Sequence, residues 1–191
     1  MKESTSIMKL LSNHFEGEFI ERKYDEQEKV KLIHNHFTII FDYYVNYSPH
    51  NSEDYFTRVM VPFKSEQSLL FTLKNKDLFA RIQQLFDKNT IEIDYYNFNK
   101  KYFLFSNNGF KAKTIFTNKE IIEVLNSLNK FTLTISNDKG VWGEKLPKGY
   151  YELSFFTNTL IKDLNQFDSL RNLFIMLITE LQLAHQITPS S

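Results

Sequence analysis

The sequence predicts an α+β fold: mainly antiparallel strands in two groups, with helices packed on one face and a long C-terminal helix. Three observations carry that reading. Apolar side chains alternate with period two through several stretches rich in Val, Ile, Phe and Tyr. Short polar turns separate those stretches, as in a meander of antiparallel strands. A few segments instead show helical spacing, the longest of them near the C-terminal end.

In chain order, Met8, Leu11 and Phe15 follow Ser4 and Thr5 at helical spacing, and Gly17 ends that helix. Glu18–Tyr24 alternates weakly as a strand. From Lys31 to Asn46 the alternation is clear, and it predicts one long strand: Ile33, Phe37, Ile39, Phe41, Tyr43 and Val45 on one face, His34, His36, Thr38, Ile40 and Asp42 on the other. A turn at Ser48–Ser52 leads to strands at Asp54–Phe63, the first ending at Pro62, and at Ser68–Leu73. Asn75 is placed to cap a helix with Leu78, Phe79, Ile82, Leu85 and Phe86 on its stripe. Strands are expected at Ile91–Asp94 and Phe98–Phe105, then a turn at Ser106–Gly109. Thr117-Asn118-Lys119-Glu120 opens a helix with Ile121, Ile122, Leu125 and Leu128 inward. Phe131–Ser136 and Tyr150–Phe156 form the last strands, with turn residues from Asn137 to Gly140 between them. Residues Leu164 to Ala184 make the long helix, and Ile187–Ser191 is expected to be a loose tail. The Asn75 and Asn118 segments echo one another, which any capped amphipathic helix would do.

The chain has 191 residues, of which 42% are hydrophobic, with 19 Phe and 10 Tyr, enough for one sizeable core. The domain is expected to span residues 1–186. Net charge is zero and no cysteine is present. The balance speaks against a nucleic-acid partner, because phosphate neutralisation needs a basic excess. Lys100 and Lys101, beside Tyr102, Phe103 and Phe105 and near Lys111 and Lys113, are the densest basic stretch and read as a charged strand start. Disulfides, thiolate metal sites and cysteine nucleophiles are excluded. The longest apolar run, Leu173–Ala184, is broken by Thr179, Glu180 and Gln182, so no transmembrane segment is expected. No secretory signal pattern follows Met1, and a soluble, cytoplasmic protein is the expectation.

The five glycines form no phosphate-binding loop, and no nucleophile elbow or paired-His zinc helix occurs. His34 and His36 at i, i+2 on a strand would share a face and could hold a metal. A solvent-facing pair is the plainer reading, so no metal and no cofactor is expected. His50 in a turn and His185 at a helix end read as surface residues. Glu92 and Asp94 could act as an acid–base pair but read better as a solvated edge. Arg58 sits among apolar neighbours, so its guanidinium must reach solvent or an anion, most simply a carboxylate across the sheet. The doublets Tyr43-Tyr44, Tyr95-Tyr96 and Tyr150-Tyr151 each put one ring on either face of a strand. Arg58, Tyr44 and Tyr96 are the candidate binding residues, because an Arg among aromatics combines hydrogen bonding with apolar area.

The stretch Ile91–Leu128, with Phe98-Asn99-Lys100-Lys101-Tyr102-Phe103, Ser106-Asn107-Asn108 and the Asn118 cap, resembles a family of uncharacterised bacterial α+β domains. Members of that family carry a Phe-Asp-x-x-Phe strand and a Ser-Asn turn before the same helix, and Tyr55-Phe56-Thr57-Arg58 is similar to their Thr-Arg strand. Asn99 departs from the pattern, which has Asp there, and the membrane helices of many members have no counterpart. The resemblance spans residues 15–184 and implies the element order, with no activity attached.

Three function classes follow. The first is a non-catalytic protein-interaction module of accessory, chaperone-like or immunity type. The alternatives are a metal-dependent enzyme using His34 and His36, and a carrier of a small ligand in an aromatic-lined cavity near Arg58.

Overall fold

The computed structural model describes residues 6–23, 27–47, 53–76, 90–95, 97–141, 144–185 and 187–190. Their strands form one antiparallel sheet of nine, and the helices pack on one of its faces. The strands are β1 (Glu18–Ile20), β2 (Lys29–His34), β3 (Phe37–Tyr47), β4 (Glu53–Lys64), β5 (Phe71–Asn75), β6 (Tyr102–Ser106), β7 (Thr132–Ser136), β8 (Tyr150–Thr157) and β9 (Thr188–Pro189). The helices are α1 (Ile7–Phe15), α2 (Phe98–Lys101), α3 (Gly109–Phe116), α4 (Lys119–Ser127) and α5 (Leu164–His185).

Strand order is β1-β2-β3-β4-β8-β7-β5-β6, with β9 added to β4. The two expected strand groups are therefore halves of a single sheet. A meander of β1 to β4 meets the β5–β7 group through β8, which pairs with β4 on one side and β7 on the other.

The helix-covered face holds the core. Phe37, Ile39 and Phe41 from β3, Leu133 and Ile135 from β7, Leu125 from α4 and Phe174 from α5 are all buried in one cluster. Helix α5 crosses this face, with Phe167, Leu170, Leu177 and Leu181 buried beneath it. Helix starts follow their caps: Ser6 Oγ accepts from the Lys9 N–H, and Asn118 Oδ1 accepts from Glu120 and Ile121. Among the described residues no helix is long and apolar enough to cross a membrane.

Five expectations are corrected. The long strand from Lys31 is two strands, β2 and β3, joined at Asn35 and His36, whose φ angles are 48° and 69°. Positive φ at both positions is the geometry of a two-residue hairpin turn. Because His34 pairs with Phe37 across it, the turn swaps odd and even positions. Ile33 leaves the core side and is 72% exposed, while His34 joins the face of Phe37.

Second, Phe98–Lys101 is a helical turn, and Ile91–Asp94 is not a strand. The Asn99 side chain accepts from the Ile93 N–H and donates to the Ile93 carbonyl, taking both groups a strand partner would need. Third, Asn108 caps helix α3, which the turn reading did not anticipate; its side chain accepts from the Lys111 N–H. Fourth, β4 runs through Pro62 to Lys64. The Pro62 carbonyl accepts from Ser190 Oγ, so its donorless nitrogen faces the gap between β3 and β9 rather than β8.

Fifth, the expected loose tail is docked. Ile187 is buried, and Thr188 and Pro189 pair with Lys64 and Phe63. The helix expected after Asn75 lies outside the described residues, as do Tyr96, His50 and Trp142. Asn75 itself ends β5, where its side chain accepts from the Phe131 N–H.

Candidate functional site

The second face of the sheet carries a row of buried polar groups that the hydrophobic cluster does not include. Asp42 on β3 and Arg58 on β4 are register partners, so their side chains emerge on the same face. Arg58 Nε donates to Asp42 Oδ1 at 2.9 Å and Nη2 donates to Oδ2 at 2.8 Å. Asp42 is 0% exposed and Arg58 4%. Such a bidentate fork fixes both side chains in one geometry. Burial pushes the Asp42 carboxyl up to about 6, against the pull of Arg58 and Lys29.

Tyr44 lies two residues along β3 on the same face, and the Arg58 guanidinium carbon sits 4.7 Å from its ring centroid. The Tyr44 ring meets Phe56 at 6.0 Å, and Phe56 meets Phe156 of β8 at 5.8 Å. Both spacings follow from the register, which pairs Tyr44 with Phe56 and Arg58 with Phe156. Tyr44 is 43% exposed and Phe156 37%. These three rings, Arg58 and Val141 line an open cleft of about 200 Å³.

Val141 reaches the cleft because the β7–β8 connection folds over this face. Its N–H donates to Glu152 Oε1 at 2.6 Å. A Cβ on the preceding Gly140 would stand 2.5 Å from Glu144 Oε1 and 2.9 Å from Glu152 Oε2, so a side chain there would push the exposed Glu144 carboxylate aside. Glu152 is 3% exposed. Burial pushes its carboxyl up to about 7; the Glu144 charge adds to this, while the Val141 N–H, Arg58 and Ser154 oppose it.

A pH dependence follows. The folded-state value of Glu152 lies above the ordinary 4.5, so the folded chain holds a proton that the unfolded chain releases. The resulting stabilisation is complete below that ordinary value and is lost as pH rises to about 7. At about 1.4 kcal/mol per unit, the effect amounts to a few kcal/mol. Glu152→Gln should flatten this part of the profile and gain on the wild type above neutrality, read from urea midpoints at about pH 5 and about pH 8. An equal loss at both values would show that the carboxyl is held for its hydrogen bond alone.

Of the residues singled out from the sequence, the structure brings Arg58 and Tyr44 together. Tyr96 lies outside the described residues. His36 sits in the β2–β3 turn while His34 lies on the core side of β2, so the shared strand face that a metal pair required does not exist. No group of three metal-binding side chains occurs among the described residues. Glu92 and Asp94 are both exposed. Phe56, Phe156, Val141 and Glu152 were not singled out. The alternation of β4 and β8 puts Phe56 and Phe156 on one face with Arg58, but only the β4–β8 pairing makes them neighbours. No protein-family model matches the chain, and no curated protein or solved structure matches it either.

Proposed function

We propose that this chain is a non-catalytic protein-interaction module, of accessory, chaperone-like or immunity type, that grips its partner with Tyr44, Phe56 and Phe156. The observation that supports this most is the row of half-exposed rings seated beside a buried ion pair. Rings held in place lose little entropy on binding, and aromatic residues beside Arg dominate binding hot spots. The cleft's volume of about 200 Å³ is below the roughly 300–1,000 Å³ usual for small-molecule sites. It suits one protruding side chain of a protein better than a carried ligand. A bacterial, cytoplasmic setting belongs to the same proposal, on the absence of cysteine and the Lys- and Asn-rich composition.

Affinity capture from the native host, followed by mass spectrometry, tests this reading. Phe156→Ala and Tyr44→Ala should each lose the captured partner while costing less than about 1 kcal/mol of stability. Capture of the same protein by both variants at wild-type yield would contradict the proposal.

A further inference from the structure

On the reading of the aromatic cleft as the binding face, on which this rests, we infer that Glu152 is a proton-operated latch holding Val141 in place as one wall of that cleft. The latch engages while the carboxyl is protonated and lets go when it is ionised.

The residues on either side of Val141 form a small hairpin of their own. The Gly140 N–H donates to the Glu144 carbonyl at 2.9 Å, and the Leu146 N–H donates to the Asp138 carbonyl at 2.9 Å. Lys139 and Lys145 pair between them as an antiparallel bridge. These bonds shape the hairpin without help from the sheet. The Val141 N–H, on Glu152 Oε1 at 2.6 Å, ties it down onto β8, with Gly140 buried beside the contact. Val141 in turn stands with Tyr44, Phe56, Arg58 and Phe156 around the cleft. One carboxyl thus connects a self-bonded hairpin to the wall of the site.

Glu144 Oε1 and Glu152 Oε2 both lie within 2.9 Å of the point where a Gly140 Cβ would stand, so two carboxyl groups crowd one spot. With both ionised, the hairpin presses one carboxylate against another that is 3% exposed. Arg58 of β4 faces Glu152 as well, but it is shared with Asp42 of β3. Ser154 of β8 donates to Glu152, while Pro62 of β4 and Ser136 of β7, its register partners, carry no charge. Asp138, Lys139, Lys145 and Lys148 of the connection are exposed to solvent. Burial outweighs the opposing groups and sets the latched carboxyl at about 7. Lifting the hairpin admits water and takes Glu144 away, which returns Glu152 toward its ordinary 4.5. Between those two values the latched form loses about tenfold against the released form per pH unit, and outside them the ratio is flat. A partner seated against Val141 therefore binds best in mild acid and loses that wall as pH approaches neutrality.

Solvent exchange of the Val141 amide, followed by NMR on the full chain with no partner added, tests the latch. Protection relative to the intrinsic exchange rate should fall by up to about a hundredfold from about pH 5 to about pH 8. The Leu153 amide, on a strand paired on both sides, should stay better protected than Val141 throughout. Glu152→Gln keeps an acceptor for Val141 but no titrating proton, so its Val141 protection should hold level across the range. If that variant does not fold, NMR titration of the Glu152 carboxyl carbon in the wild type replaces it, with a midpoint well above 4.5 expected. Constant Val141 protection in the wild type, the same fall in Glu152→Gln, loss of Leu153 protection in step with Val141, or a Glu152 midpoint near 4.5 would overturn the latch. No partner enters these measurements, so they fail separately from the binding reading, which falls if Phe156→Ala and Tyr44→Ala capture at wild-type yield.

Discussion

Arg58→Met is expected to cost about 3–5 kcal/mol, because it leaves the Asp42 carboxylate buried without its partner. Asp42 is 0% exposed and both of its oxygens accept from Arg58, so no solvent replaces the lost donors. Part of the cost is avoided if Asp42 takes up a proton, which its raised value of about 6 makes easier at mild acidity. The variant should therefore be less destabilised at low pH than at neutral pH. The double variant Asp42→Leu with Arg58→Met should recover most of the loss, since two apolar side chains leave no charge to desolvate. Urea denaturation of the four proteins closes the cycle. A single-variant cost under about 1 kcal/mol would mean that the pair is hydrated and does not anchor the rings above it.

Phe174→Ala is expected to cost a similar amount, about 3–5 kcal/mol, through lost burial plus the cavity left behind. Phe174 is 0% exposed and belongs to the cluster that includes Phe41, Leu125 and Leu133. That cluster draws on both halves of the sheet and on the helices over it, so a collapse around the gap would have to move several elements at once. Thermal and urea unfolding should both report the loss. A cost below about 1 kcal/mol would show that α5 is not docked on the sheet in solution.

The α+β class, the capped helix at Asn118 and the long C-terminal helix were legible because each rests on periodicity within a short window. The β2–β3 hairpin was not. Its turn residues, Asn35 and His36, carry no glycine, and a two-residue turn continues an apparent alternation while swapping the faces. That one swap moved His34 to the core side and removed the basis of the metal pair. The turn at Phe98–Lys101 was hidden for a different reason: the Asn99 amide replaces a strand partner, and the alternation around it cannot show that. At the candidate site, the pairing of Arg58 with a carboxylate could be reasoned from its apolar neighbours. The identity of that carboxylate, and the arrival of Phe156 beside Phe56, depend on register and on β8 inserting next to β4. Non-local pairing of that kind leaves no mark in any single segment.

The most direct test of the binding face is photo-cross-linking in the native host, with a benzophenone amino acid in place of Phe156 and, as a control, in place of Leu183. Phe156 borders the aromatic cleft, whereas Leu183 is 79% exposed on α5 and away from it. The proposal predicts one discrete cross-linked protein from position 156, lost when Tyr44→Ala is added, and none of that protein from position 183. Absence of any product at 156, or the same product from both positions, would contradict it.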